Sequence, residues 1–304
     1  MRKQLCDALV NRAQKPDMVF LTGDLGFMAL EPLQEALGER FINAGVAEQN
    51  MISVSAALAH QGLDTWVYSI APFCYARPFE QIRNDIAFHA LPVRLIGNGG
   101  GYGYGVMGPT HHAIEDYGVL LTLPNIKVYI PVFDHDVGDV VSLAGANPLA
   151  SYVRLGRGEQ PTDFDIPAYA PWRCLIHGDG FPVIVVGPLA GTYIDTFLTI
   201  RESERPSLWV LSELPLAHNP PPDELLAQIA RLGRVCIVEE HVERGGFAAE
   251  FALYMMRNGL FARIKPLHAR AHHYARYGSQ SYLRKESGLD PANLLVALAE
   301  LSRA

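Results

Sequence analysis

The chain is poor in cysteine and has no cysteine pair. Its four thiols, Cys6, Cys74, Cys174 and Cys236, lie far apart without a C-x-x-C spacing, so neither a zinc site nor a disulfide framework is indicated. A positive surplus is also missing. Against 32 Asp and Glu stand only 25 Lys and Arg, a formal charge of -7 with no basic cluster to offset it, which argues against a nucleic-acid surface. No apolar run is long enough to span a membrane. The opening Met1-Arg2-Lys3-Gln4-Leu5-Cys6-Asp7 carries charged and polar residues where a secretory signal needs its apolar core. A reducing cytoplasm is the compartment most simply compatible with these absences. What remains is ordinary globular material, 304 residues of which 49% are hydrophobic, enough for two domains with full cores.

Short apolar strands alternate with helical segments through both halves, the pattern of a mostly parallel sheet covered by helices. The fold class is therefore α/β, with two such domains. In the first half, residues 18–22, 65–68, 93–96, 127–130 and 152–154 read as strands, and 46–60, 77–89, 113–121 and 135–145 as helices. The second half restarts at Pro182-Val183-Ile184-Val185-Val186, continues through 208–211 and reaches Val235-Cys236-Ile237-Val238-Glu239-Glu240-His241, followed by Gly245-Gly246-Phe247 and a helix. Between the halves lies a connection bearing Pro161, Pro167, Pro171, Gly178 and Gly180, a composition typical of a boundary. The domains are placed at 1–160 and 182–304, with 161–181 as linker. A strand-Gly-Gly-helix junction at 245–247 can cradle a phosphate, but no lysine-bearing P-loop accompanies it and a tight turn is the better reading.

One residue demands a chemical account. Glu48 opens a run in which Ile52, Val54, Ala56, Ala57, Leu58 and Ala59 are apolar on nearly every side of a helix, which predicts burial on all faces. An ionised carboxylate there must be partnered, protonated or hydrogen-bonded to a ligand. The alternative is an acid that only favours its own helix N-terminus.

Five blocks decide between these. Gly45-Val46-Ala47-Glu48-Gln49-Asn50-Met51, then Arg77-Pro78-Phe79-Glu80-Gln81-Ile82-Arg83-Asn84-Asp85, Leu91-Pro92-Val93, Gly108-Pro109-Thr110-His111-His112 and Leu123-Pro124-Asn125-Ile126 resemble, in the same order, the pyrimidine-binding domain of the transketolase family of thiamine diphosphate enzymes. The second half resembles that family's C-terminal domain. The resemblance implies that Glu48 hydrogen-bonds N1′ of the cofactor's aminopyrimidine and promotes the imino tautomer that deprotonates the thiazolium, while the protein positions and tunes the cofactor. Phe73 matches the aromatic that stacks on the pyrimidine, with Tyr75 as a rival two residues on. Asp24, after the first strand, corresponds to an aspartate near the cofactor. His111 corresponds to the histidine that faces the reacting carbon, a role suited to an imidazole titrating near neutrality. Arg154 lies where the family holds a substrate phosphate, with Arg157 as the other candidate.

Departures from the family pattern bear on the substrate. Sugar-phosphate members carry an acidic residue just before Gly-Pro-Thr-His, whereas this chain has Met107, which cannot accept the hydrogen bond from a substrate hydroxyl. A glycine-rich run, Gly97-Asn98-Gly99-Gly100-Gly101-Tyr102-Gly103-Tyr104-Gly105, stands where many members place a binding histidine. The substrate is therefore expected to differ from the ordinary pentose phosphates, as a deoxygenated or otherwise modified sugar or sugar phosphate.

The family's N-terminal domain, which holds the diphosphate through a metal with a Gly-Asp-Gly signature, has no counterpart here. Gly178-Asp179-Gly180 lacks the helix and asparagine that follow that signature, and reads as a turn. The resemblance thus implies a split enzyme: thiamine diphosphate shared with a partner subunit, Mg2+ or Ca2+ held by that partner with no metal ligand in this chain, an α2β2 assembly, and self-association through the C-terminal domain. The rival enzymatic readings are the β subunit of a 2-oxo-acid dehydrogenase and a decarboxylating 1-deoxyketose synthase. A non-catalytic assembly subunit is the reading from another class, against which the intact Glu48 block argues.

Overall fold

A computed structural model describes residues 1–161, 163–270, 272 and 277–303. Helix α1 (Arg2–Arg12) precedes six strands of one sheet: β1 (Met18–Thr22), β2 (Phe41–Asn43), β3 (Asp64–Ile70), β4 (Val93–Asn98), β5 (Ile126–Tyr129) and β6 (Ala150–Leu155). A second sheet takes β7 (Trp172–Ile176), β8 (Gly180–Val186) and β9 (Pro206–Leu211), the two-residue β10 (Glu213–Leu214) returns to the first, and β11 (Arg234–Glu239) and β12 (Arg263–His268) complete the second. The spatial orders are β10-β5-β6-β4-β3-β1-β2 and β12-β11-β8-β9-β7. All pairings between these strands are parallel except β10 with β5 and β7 with β9. The α/β class holds in both halves. Every residue of β1, β4 and β6 is buried, as expected for parallel strands covered on both faces by helices. Among the described residues no helix is long and apolar enough to cross a membrane.

Three features depart from the sequence reading. The segment read as a linker contains β7, whose Trp172, Arg173, Leu175 and Ile176 are buried against β9; the Pro and Gly density on either side conceals it. The helix expected over 77–89 breaks into a short turn, Phe79–Gln81, and a π-type turn, Ile82–Ala87. Finally, the core does not stop at the boundary. Leu21, Val67, Leu95 and Tyr152 share one apolar cluster with Ile184, Trp209, Ile237 and Phe247, and β10 is tied to β5 by the Lys127–Glu213 ion pair at 2.7 Å.

The strand order creates the location for a site. From β1 the chain moves to β2 on one side, whereas from β3 it moves to β4 on the other. The loops leaving these two adjacent strands diverge and open a crevice at their carboxyl ends, the position at which open α/β sheets bind ligands.

Candidate functional site

Three segments meet at that crevice. Helix α2 (Glu31–Leu37) carries the chain from β1 to β2, and helix α3 (Glu48–His60) begins just after β2 with Glu48 as its first residue. The five-residue helix α4 (Ala71–Tyr75) follows β3 and carries Phe73. The glycine-rich run after β4 leads to the turn Pro109–His111.

Glu48 is 2% exposed and is partnered: Arg77 Nη1 donates to its Oε2 at 2.7 Å. The same guanidinium lies 4.3 Å from the centroid of the Phe73 ring. Arg77 follows Phe73 by four positions, the spacing of helical neighbours, and the turn just past the end of α4 sets its guanidinium between the Phe73 ring and Glu48. His111 closes the group, its ring edge-on to Phe73 with centroids 5.1 Å apart. Its Nδ1 sits 2.9 Å from Thr110 Oγ1. Desolvation, reinforced by the Arg77 charge, holds the His111 imidazole below its ordinary value. At neutral pH it is therefore an uncharged ring, able to accept a proton or to donate one. An NMR titration is expected to place the His111 midpoint below about 6.5, and to move it upward in Arg77→Gln.

The other sequence-predicted residues divide. Tyr75 is buried and donates its hydroxyl to Glu115 at 3.2 Å; of the two candidate rings, Phe73 is the one that contacts Arg77 and His111. Asp24 is exposed at the end of β1, in left-handed backbone with φ 57°. It exchanges two hydrogen bonds with Asn43, at 2.9 and 3.1 Å, which ties the β1 and β2 loops together beside Glu48. Met107 is exposed at the end of the turn Gly105–Met107.

Arg154 requires a correction. It is 3% exposed, and its donors are directed inward: Nε to Asp116 at 2.7 Å, and Nη2 to the carbonyls of Ala113 at 3.0 Å and Glu240 at 2.9 Å. Arg154 thus ties the two halves together, and its burial sets it apart from a contact with substrate phosphate. Arg157, two residues beyond the end of β6, is exposed and lines a cavity of about 240 Å3 with Arg2, Asn98, Gly103 and Tyr104. The Tyr104 ring lies 6.4 Å from that of His111, so this cavity adjoins the Glu48 group.

The glycine-rich run is shaped by packing. A Cβ on Gly101, whose φ is +65°, would lie 2.6 Å from the Glu240 carboxyl carbon, and the Tyr102 amide donates to Glu240 at 2.7 Å. Nor is the Gly245-Gly246 junction a phosphate cradle. The amides of Phe247 and Ala248 donate to the Glu239 carboxylate at 2.7 and 3.0 Å, so the helix start already holds its own anion. A larger cavity, about 450 Å3, lies between β7, β9 and the helix Asp223–Leu232 and shares no residue with the Glu48 group; there the Gly178 and Gly180 carbonyls accept from Gln228.

Arg77 stands in one of the five blocks, yet the sequence reading gave it no role. The signal was available, since a buried carboxylate needs a counter-charge and Arg77 is the cation one helical turn from the stacking ring. Tyr104 carried no such signal, because a tyrosine in a glycine loop has no period to fix its direction.

Residues 5–162 match the family described as the transketolase pyrimidine-binding domain. Over 293 residues the chain is 30% identical to one subunit of the apulose-4-phosphate transketolase of Phocaeicola vulgatus, covering 91% of this chain and 92% of that protein. The identically named subunit from Actinobacillus succinogenes is 26% identical over 271 residues, 89% of this chain and 87% of its own. The fold superposes on a solved structure described as a split gene transketolase, inactive beta4 tetramer, with a TM-score of 0.83, 26% identity and coverage of 99% and 97% of the two chains.

Proposed function

The chain belongs to the transketolase family as a β-type member, and from that premise we propose that it supplies the pyrimidine half of a thiamine diphosphate site in a split enzyme that moves a two-carbon ketol unit from a ketose phosphate to an aldehyde. The observation that carries this reading is the convergence of a buried carboxylate, an aromatic face and an uncharged imidazole at Glu48, Phe73 and His111. Arg77 tests the fit. A planar cation rests on Phe73 and donates to Glu48, the two contacts an aminopyrimidine ring requires.

When bound, the cofactor supplies a nucleophilic carbon that takes up and releases the ketol fragment. The rest falls to residues of this chain. Glu48 accepts a hydrogen bond from the ring nitrogen and holds the proton there, Phe73 fixes the plane of the ring, and His111 exchanges a proton with the donor and acceptor oxygens. Arg157 holds the anionic end of the substrate, in the role that the resemblance implied for Arg154.

Among the described residues no group of three or more His, Cys, Asp or Glu side chains converges on a metal-sized site, and no step is assigned to a metal in this chain. The diphosphate and its Mg2+ or Ca2+ fall, in this proposal, to an N-terminal-type partner subunit in an α2β2 assembly. Exposed apolar residues beside the site, Phe27, Met28, Val46, Val106 and Met107, suit a surface that a partner covers. The apolar face of α3 points the same way: Val54 and Ala57 are exposed, so the all-round burial expected for this helix is not reached within one chain.

The test is reconstitution with a partner of that type and assay of ketol transfer from phosphorylated and unphosphorylated ketoses. Decarboxylation of pyruvate as the main activity would favour the 2-oxo-acid reading instead. Within the proposed reading, Arg157→Ala is expected to raise KM for a phosphorylated donor about tenfold or more, the loss of one charge-assisted contact. The melting temperature should hold, since that side chain is exposed.

A further inference from the structure

Building on the cofactor reading above, we propose that Arg77 is an intramolecular occupant of the pyrimidine site, a latch that the cofactor ring displaces and that thereby sets cofactor affinity. The guanidinium makes both contacts that would orient the ring, lying 4.3 Å from the Phe73 centroid and donating to Glu48 at 2.7 Å. One planar, positively charged donor cannot share that face and that oxygen with another. Loading the site therefore exchanges Arg77 for the ring rather than filling a passive slot.

The two partners of the ion pair are unequal in a way that suits a latch. Glu48 is 2% exposed and fixed at the start of α3, whereas the Arg77 side chain is 41% exposed. The carboxylate cannot leave and is costly to strand without a partner. The arginine has a long, flexible stem and an open route to water, so it can swing aside without breaking the core. In the chain without cofactor it keeps Glu48 paired. Beside it, His111 senses the same charge, so the position of Arg77 is readable at a second group.

The expected size follows from population arithmetic. If the closed arrangement holds about 90% of the molecules, apparent affinity is reduced about tenfold relative to an open site, and removing the latch recovers that factor. The probe is thiamine, which carries the aminopyrimidine but no diphosphate and so does not need a partner-held metal. Thiamine is titrated by NMR into the full chain and into Arg77→Gln, Arg77→Lys and Glu48→Ala. Gln keeps a donor for Glu48, which spares the fold, but loses the stacked charge; Lys keeps the charge and loses the plane.

Arg77→Gln is expected to bind thiamine about tenfold more tightly than the native chain, Arg77→Lys to fall between them, and Glu48→Ala to lose binding. Equal or weaker binding by Arg77→Gln, with Glu48 still required, overturns the latch and leaves the cofactor reading standing. Binding that ignores Glu48, or no binding by any of these chains, overturns the cofactor reading and the latch with it. If Arg77→Gln does not fold, Arg77→Lys decides, and equal affinity there overturns the latch.

Discussion

Glu48→Ala in the assembled enzyme is expected to lower kcat by about 10²–10⁴-fold, the range for removal of a proton-handling group, while the subunits still assemble. The two halves of this prediction rest on different observations. Activity falls because the carboxylate is, among the described residues, the acidic group brought against Arg77 and the Phe73 face. Assembly survives because the partner left behind, Arg77, is already 41% exposed and can turn its charge to water. Glu48→Gln is expected to lose nearly as much activity, since an amide keeps the shape but lacks the negative charge that holds a proton on the ring nitrogen. A chain that served only as scaffold would show no change in either variant.

Arg154→Met is expected to act on folding rather than on substrate binding. Its ion-pair partner, Asp116, is fully buried and also accepts from Tyr152 at 3.0 Å. Losing the guanidinium strands that carboxylate and frees the Ala113 and Glu240 carbonyls. Removing one member of a buried pair costs about 3–5 kcal/mol, to be read as a drop in the urea midpoint. Replacing both members, as Arg154→Met with Asp116→Leu, should recover much of the loss, because an apolar pair of similar volume avoids the stranded charge. The contrast with Arg157→Ala separates the two arginines: one shifts the melting curve, the other KM. A normal melting curve for Arg154→Met with a large rise in KM would return the anion role to Arg154.

The error over Arg154 has a physical source. Arg154-Leu155-Gly156-Arg157 places two cations three residues apart at a strand end, and nothing in their composition says where the strand stops. β6 ends at Leu155 with every residue buried, which commits Arg154 to the interior and releases Arg157. The parallel strands of the first sheet were legible because burial on both faces leaves long apolar runs. β7, β10 and β12 were not: one is hidden between prolines, one is two residues long, and one contains Pro266. Glu48 was legible because a carboxylate opening an apolar helix is costly, whereas what neutralises it depends on a contact 29 residues away that only the fold supplies.

The Glu239-Glu240-His241 stretch teaches the same lesson from the other side. Its residues look like a functional cluster, yet Glu239 caps a helix and accepts from Tyr117, and Glu240 pairs with Arg284 at 2.7 Å. Together with Arg154 they hold the second sheet against the loops of the first. Acids in a row are here the cement of an interface, and the acid proposed to bear on chemistry, Glu48, lies outside any such row.

The central claim is that the cofactor's pyrimidine sits on Phe73 with its ring nitrogen at Glu48. A crystal structure of this chain assembled with its partner and thiamine diphosphate tests it most directly. The account predicts a Glu48 carboxylate oxygen within hydrogen-bond distance of N1′, about 2.7–3.2 Å, with the Phe73 ring against the pyrimidine and the Arg77 guanidinium moved off both. A pyrimidine bound elsewhere, or Glu48 turned away from it, would contradict the account.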